Sequence, residues 1–398
     1  MQLLTCTIQP YAWGSRTALA ELTGRPGPTG PEAELWMGAH PVAPSRIESS
    51  PEETLLDRIE AAPEPTLGAP VVQRYGARLP YLLKVLAAAQ PLSLQAHPSV
   101  EQARAGFDDE ERRGVPRDAP TRNYKDASAK PELLCALGPF EALCGFRDPI
   151  ATADLFDALV HLGATSLEPT VRALRGSDPA AALRQAFEGL MTLPRPAAAS
   201  VAADALAAAA RYEGPFAREC GWARQLGELY PGDVGAVTAL LLHHVELSAG
   251  EAIYLDAGNL HAYLRGTAVE IMASSDNVLR GGLTPKHVDV PELLRVLDFH
   301  PHRVDKLAPR PAGPHERAYV TPAPDFRLSR IELSARESAR PLRRGPEILL
   351  SVRGSMLLEC GRAAVPLAQG TAVFIAASDG EYVLSGEGTA FRATVGGD

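Results

Sequence analysis

A chain of 398 residues, 45% hydrophobic and 22% charged, is longer than one hydrophobic core usually holds and predicts two or three domains of a globular protein. Its net charge of -9 leaves no broad basic face, which excludes nucleic acid and anionic membranes as expected partners. No apolar run is long enough to span a bilayer, MQLLTCTIQPYAWG lacks the features of a secretory signal, and Cys6, Cys135, Cys144, Cys220 and Cys360 form no CxxC pair, so a cytoplasmic protein with reduced thiols is expected.

From residue 1 to about 150, short apolar runs broken by Gly, Pro and polar clusters read as strands with irregular loops. One of them, PLSLQAHPSV, alternates, and residues i and i+2 of a strand share a face, so Ser93, Gln95 and His97 point to one side. Imidazole is a common metal ligand and an amide oxygen a permissible one, but Gln-x-His alone is a weak signal. Farther on, NYKDASAKPEL carries Tyr124, Asp126, Lys130 and Glu132, with Pro131 holding Lys130 extended. By itself that stretch reads as a solvated loop.

Between residues 151 and 228 the character changes. ADLFDALVHLG, PAAALRQAFEGL, AAASVAADALAAAARY and ECGWARQLGELY are rich in Ala and Leu at three-to-four spacing, which predicts a helical insertion. Alternating strands with Gly turns then return, as in a sandwich or barrel. Within them His261 follows a Gly turn, and Glu270 sits in the apolar run AVEIMA, where a buried carboxylate requires a cation or a metal nearby. Asp276, Asn277, Arg280 and Lys286 follow closely. From about residue 306 onward strand, Gly turn and strand recur without a His and Glu cluster, which predicts a second barrel of structural character. Only five lysines occur, Lys84, Lys125, Lys130, Lys286 and Lys306, and an ammonium can be tuned for proton transfer where a guanidinium cannot.

Taken together and in order, YAWGS, ELWMGAHP, PLSLQAHP, KPEL, GNLHAY and EIMASSDNVLRGGLTPKHVDV resemble the type I mannose-6-phosphate isomerase family, zinc enzymes of the cupin superfamily, from about residue 9 to 290. The resemblance implies a mainly β architecture. Residues 1–150 and 229–305 would form a catalytic cupin-type barrel (a double-stranded β-helix), 151–228 a helical insertion, and 306–398 a second cupin-like β domain. It implies one Zn2+ per chain on Gln95, His97, Glu132 and His261, a mixed N/O set that leaves room for water or a substrate oxygen. By the same matching Arg280 is the catalytic arginine, Ser93 and Lys286 hold a phosphate, and Tyr263, Lys130, Glu270 and Asp276 line the sugar site. Trp13, Glu34 and Trp36 fall in family blocks as structural or cavity-lining residues. One departure stands out: the family writes Asn-His before Lys-Pro-Glu, and this chain has Ser128-Ala129. Any proton handling by that imidazole is absent here or done by another group.

The implied reaction interconverts mannose 6-phosphate and fructose 6-phosphate through a cis-enediol. Its developing charge needs a metal or a preorganised cation, for which Arg280 is the expected stabiliser, with Glu270 and Lys130 as proton-transfer groups. Two other readings stay open. A different metal-dependent cupin enzyme would not need Arg280 and Lys286 together, and a non-catalytic sugar-binding cupin gives no reason for four metal ligands. A small phosphosugar as the partner and a monomeric chain are expected.

Overall fold

The thirteen-residue strand His261–Ala273 is the spine of the first of two sheets in the computed structural model, which describes residues 1–397. Its first half pairs with Phe140–Phe146 and with Gln95, and its second half with Tyr81–Ala88 and Glu132–Ala136. The change of partners falls at a register shift between Tyr263 and Arg265, followed by Gly266 at φ 126°. Only glycine fits there, because a Cβ would lie 2.6 Å from the Phe140 ring and 2.7 Å from the Pro139 carbonyl oxygen. On a straight strand residues seven apart would stand roughly 23 Å apart on opposite faces. The bend instead brings the Tyr263 hydroxyl to 3.0 Å from Glu270 Oε1.

The outer strands of this sheet are Leu242–Leu247 on one side and Glu34–Met37 with Thr7–Gln9 on the other, while Ala252–Leu255 and Leu279–Arg280 join through Glu132–Ala136 and Gln95–Ala96. The second sheet runs Arg310–Gly313, Glu316–Tyr319, Arg327–Leu333, Val383–Thr394, Glu347–Cys360 and Ala372–Ile375, and it is extended by Gln2–Thr5, Arg46–Ile47 and Ser50–Thr54 from the start of the chain. The two sheets share one apolar core, in which Leu83, Val85, Leu133 and Ile271 of the first meet Leu328, Ile348, Phe374 and Phe391 of the second.

The predicted helical segment starts at Pro149, two residues before the sequence signal, because Asp148 caps it by accepting from the Ile150 and Ala151 amides with proline at the first turn. Asp178 does the same for Pro179–Met191. Five α-helices between Pro149 and Leu229 bury Phe156, Leu183, Phe187, Ala205 and Leu226 in a core that also takes in Leu94, Ala96, Leu260 and Leu279. Glu141 ties this layer to the sheet, accepting from Trp222 Nε1 at 2.8 Å, His244 Nε2 at 2.8 Å and Arg265 Nε at 2.7 Å. Burial opposes its charge, but these donors hold its carboxyl down at about 2.

Two differences from the sequence reading stand out. The first 150 residues also contain the helices Leu55–Ala61, Pro63–Leu67, Ala69–Tyr75 and Val100–Arg112. The last is set by a Ser99–Gln102 capping box and buries only Ala103 and Glu110, so it offers no apolar stripe to read. The alternation at 91–100 is real, yet ladder pairing is confined to Gln95–Ala96. Among the described residues the cysteines are free, and no helix is long and apolar enough to cross a membrane.

Gly266→Ala is expected to destabilise the protein by about 3 kcal/mol, from a backbone strain and an overpacking term of order 1–3 kcal/mol each, read as a lowered urea midpoint with unchanged slope.

Candidate active site

Leu94 and Ala96 are fully buried against the helical layer, so the residues between and beside them turn the other way. There the Gln95 amide nitrogen lies 3.3 Å from His261 Nε2, and Gln95 is directly opposite His261 in the ladder. His97 and His261 are buried with ring centroids 5.3 Å apart. Both rings are fixed from behind: His97 Nδ1 donates to the Asn277 carbonyl at 2.7 Å and His261 Nδ1 to the Asn259 carbonyl at 3.0 Å. A carbonyl only accepts, so each Nδ1 carries the proton and each Nε2 presents a lone pair toward Glu132.

Glu132 meets those lone pairs. Its oxygens lie 3.2 Å from His97 Nε2 and 3.6 Å from His261 Nε2, and Lys130 Nζ is 2.9 Å away. Burial works against the Glu132 charge, but the Lys130 ammonium beside it holds its carboxyl well below the usual range. Burial and the Lys130 charge push His97 down to about 4, so its ring is neutral at pH 7. His97 Nε2 is buried without a hydrogen-bond partner. Lone pairs converging with no proton between them repel, and a divalent cation is the group that relieves this. The residues therefore fit a metal: one atom each from His97, Glu132 and His261 lies within 4.8 Å of the others.

A second array of charges adjoins this cluster through Tyr263. Lys84, buried in the otherwise apolar strand Tyr81–Ala88, sits 3.5 Å from Glu34 Oε1 and 3.7 Å from Glu270 Oε2, with its ammonium 4.9 Å from the centre of the Trp36 ring. Trp36 Nε1 donates to the other Glu34 oxygen at 2.8 Å. Burial lowers the Lys84 pKa, yet Glu34 and Glu270 outweigh it and hold the ammonium charged. Burial and the neighbouring Glu132 charge push Glu270 up to about 7, and the Tyr263 hydroxyl spans Glu270 and Glu132 at 3.0 and 3.4 Å.

The remaining predicted residues lie at the rim. Arg280 is paired with Gln95 in the ladder, half-buried, and has no ion-pair or hydrogen-bond partner among the described residues for its guanidinium. Partial burial and the Arg280 charge depress the pKa of the exposed Lys286. Two neighbouring cations without an acid between them make a local excess of positive charge on an acidic protein. Ser93 is partly buried beside the Gly281–Leu94 hydrogen bond that closes this strand pair. Asp276 is half-exposed and takes a contact from the buried His40, Nε2 to Oδ1 at 3.3 Å.

A sequence profile described as "Phosphomannose isomerase type I, catalytic domain" matches residues 1–149. Over 98% of its length, and 99% of the relative's, the chain is 38% identical to the mannose-6-phosphate isomerase of Escherichia coli K12. The chain belongs to the mannose-6-phosphate isomerase family. The human mannose-6-phosphate isomerase is 33% identical over 94% of this chain and 93% of its own. A crystal structure of a mannose 6-phosphate isomerase in its zinc-bound holo form superposes with a TM-score of 0.87 at 39% identity, covering 99% of both chains.

Sequence reasoning within the family pattern passed over Lys84 as a working group, left Glu34 as lining, and missed His40 and the loop contacts of Asn277. The available signal for Lys84 was a charge inside YLLKVLAA, in a strand buried along its whole length. Lys84→Ala leaves Glu34 and Glu270 buried without their shared cation and is expected to cost about 3 kcal/mol of stability, measured by urea unfolding, with a rise in the Glu270 pKa.

Proposed function

We propose that this protein interconverts mannose 6-phosphate and fructose 6-phosphate through a cis-enediol, with Zn2+ held by Gln95, His97, Glu132 and His261. The observation that carries this reading is the juxtaposition of a buried, lone-pair-lined His97–Glu132–His261 cluster with an Arg280–Lys286 pair that has no acidic partner among the described residues. The first fits a divalent cation and the second a phosphorylated, charge-developing substrate. When bound, the zinc supplies positive charge that polarises an oxygen ligand and fixes the site's shape.

The chain's own residues then divide the work. Lys286 and the Ser93 hydroxyl bind the phosphate, an ammonium with a hydroxyl being a suitable clamp. Arg280 stabilises the oxyanion that develops as the C1–C2 proton moves, and its lack of any competing acid leaves its donors for substrate. Glu270, raised into the range where it both accepts and releases a proton near neutrality, and Lys130 transfer that proton. Tyr263 and Asp276 contact the sugar hydroxyls. With Ala129 in place of an imidazole, ring opening falls to another group in this cavity. A different metal cupin gives no account of the cationic rim, and a sugar-binding module gives none of the acid–base array.

For the architecture, we propose that the sheet built on His261–Ala273 is a cupin-type barrel, drawn from 1–150 and 229–305. Residues 151–228 form its helical insertion and 306–398 a second cupin-like barrel. The free cysteines fit a cytoplasmic protein.

Two experiments test the function. In a coupled assay the purified protein converts mannose 6-phosphate to fructose 6-phosphate, loses the activity on dialysis against a chelator and regains it with Zn2+; no turnover by the zinc-loaded protein would refute the reading. Arg280→Ala is expected to lower kcat by about 100-fold or more, whereas Lys286→Ala should mainly raise KM for the phosphosugar, by about 10-fold or more for a lost charged contact. An Arg280→Ala variant with full turnover, or a Lys286→Ala variant with unchanged KM, removes the corresponding assignment.

A further inference from the structure

Asn277 is fully buried in a loop between the spine strand and Leu279–Arg280. Its side-chain amide uses its full capacity on a single neighbour. Oδ1 accepts from the Lys125 amide at 2.7 Å and the Asp126 amide at 3.2 Å. Nδ2 donates to the Asp126 carbonyl at 2.7 Å and the Ser128 carbonyl at 2.9 Å. Four contacts are all that a primary amide can make, and all four go to the backbone of the segment that continues into Lys130, Pro131 and Glu132. Meanwhile the Asn277 backbone carbonyl is the acceptor that holds the His97 ring by Nδ1 at 2.7 Å.

One residue thus grips two elements that meet at the metal cluster, His97 by its main chain and the Glu132 segment by its side chain. A second tie runs in parallel. Asp126 Oδ2 accepts from the Ser275 hydroxyl at 3.1 Å and the Asp276 amide at 2.9 Å, and Ser275 Oγ also reaches the Ser128 carbonyl at 3.2 Å. Pro131 then passes the position of this segment on to Glu132 with little freedom. Beyond Pro131 the chain is pinned again, its carbonyl accepting from the Ala273 amide at 3.1 Å.

From this geometry we infer that Asn277 is a positioning residue for the metal site: it sets the separation between His97 Nε2 and the Glu132 carboxylate, and through it the affinity for Zn2+. The inference rests on the metal reading of that cluster. It asks nothing of Asn277 toward substrate. Outer partners of metal ligands typically contribute 10- to 100-fold in affinity or activity, and Asn277 serves two ligands at once.

The test is Asn277→Asp, nearly the same shape, which keeps the acceptor for Lys125 and Asp126 but sets a carboxylate oxygen against the Asp126 and Ser128 carbonyls. Zn2+ affinity of the full-length apoprotein is measured by competition with a chromogenic chelator, and folding by circular dichroism and thermal unfolding. The expected result is a folded variant whose Zn2+ affinity is weaker by about 10-fold or more, with KM for mannose 6-phosphate at saturating Zn2+ within threefold of wild type. A folded variant with Zn2+ affinity within twofold of wild type overturns the proposal. If Asn277→Asp does not fold, Asp126→Ala decides: its partly buried carboxylate is the parallel tie, a several-fold weaker Zn2+ affinity supports the clamp, and an unchanged one overturns it. A wild-type chain that binds Zn2+ without isomerising mannose 6-phosphate would instead remove the functional reading and leave the affinity comparison intact.

Discussion

A carboxylate charge buried in the interior, that of Glu132, is the constraint around which the site is organised. An isolated buried charge of this kind is strongly unfavourable, and removing a partner from such a group is worse than never having buried it. Lys130 at 2.9 Å offsets part of that cost. The two histidines, held with Nε2 inward, add lone pairs and so raise the demand for positive charge further. Holding them requires acceptors at both Nδ1 positions, which the Asn259 and Asn277 carbonyls provide. Each of those backbones is in turn fixed by loop contacts, so the demand made by one carboxylate propagates outward through several layers of structure.

Charge inside the cavity is close to balanced yet unevenly placed. Glu34, Glu132 and Glu270 face Lys84 and Lys130, with Glu270 shifted toward neutrality and both ammoniums held in contact with carboxylates. The positive excess lies at the rim, on Arg280 and Lys286. On the proposed assignment, a phosphorylated sugar would set its phosphate against that rim and present its reacting carbons to the buried array. On the same assignment, the gradient from an interior rich in acids to a cationic mouth would favour that orientation alongside the contacts of Ser93, Tyr263 and Asp276.

How much of this the sequence made legible depends on whether the cause was local. The Ser-x-Gln-x-His alternation was readable because its complement, Leu94 and Ala96, is apolar and packs on the helices. His261, Glu270 and Arg280 stood out through flanking motifs. The convergence of Tyr263 with Glu270 was not readable from period-two alternation, which places them on opposite faces; it depends on Gly266, whose necessity comes from Pro139 and Phe140, far away in sequence. The same holds for Asn277, an ordinary loop asparagine until the segment from Lys125 to Ser128 is laid against it. Helix Val100–Arg112 escaped because charge and capping specify it, with hardly any burial to leave a periodic trace.

The pairing of the first strand also bears on how the chain is made. Gln2–Thr5 lies between Ala372–Ile375 and Arg46–Ile47, and the Met1 ammonium reaches Asp379 Oδ2 at 2.7 Å. Gln2–Thr5 therefore waits for a strand synthesised far later before its ladder is complete. During that interval one edge of an apolar strand stays unsatisfied, the kind of exposed edge that invites association with other chains. Synthesis order and sheet order run against each other here, so this part of the second sheet closes only once Ala372–Ile375 has been made. A fusion at the amino terminus would abolish the ammonium that fastens this last join.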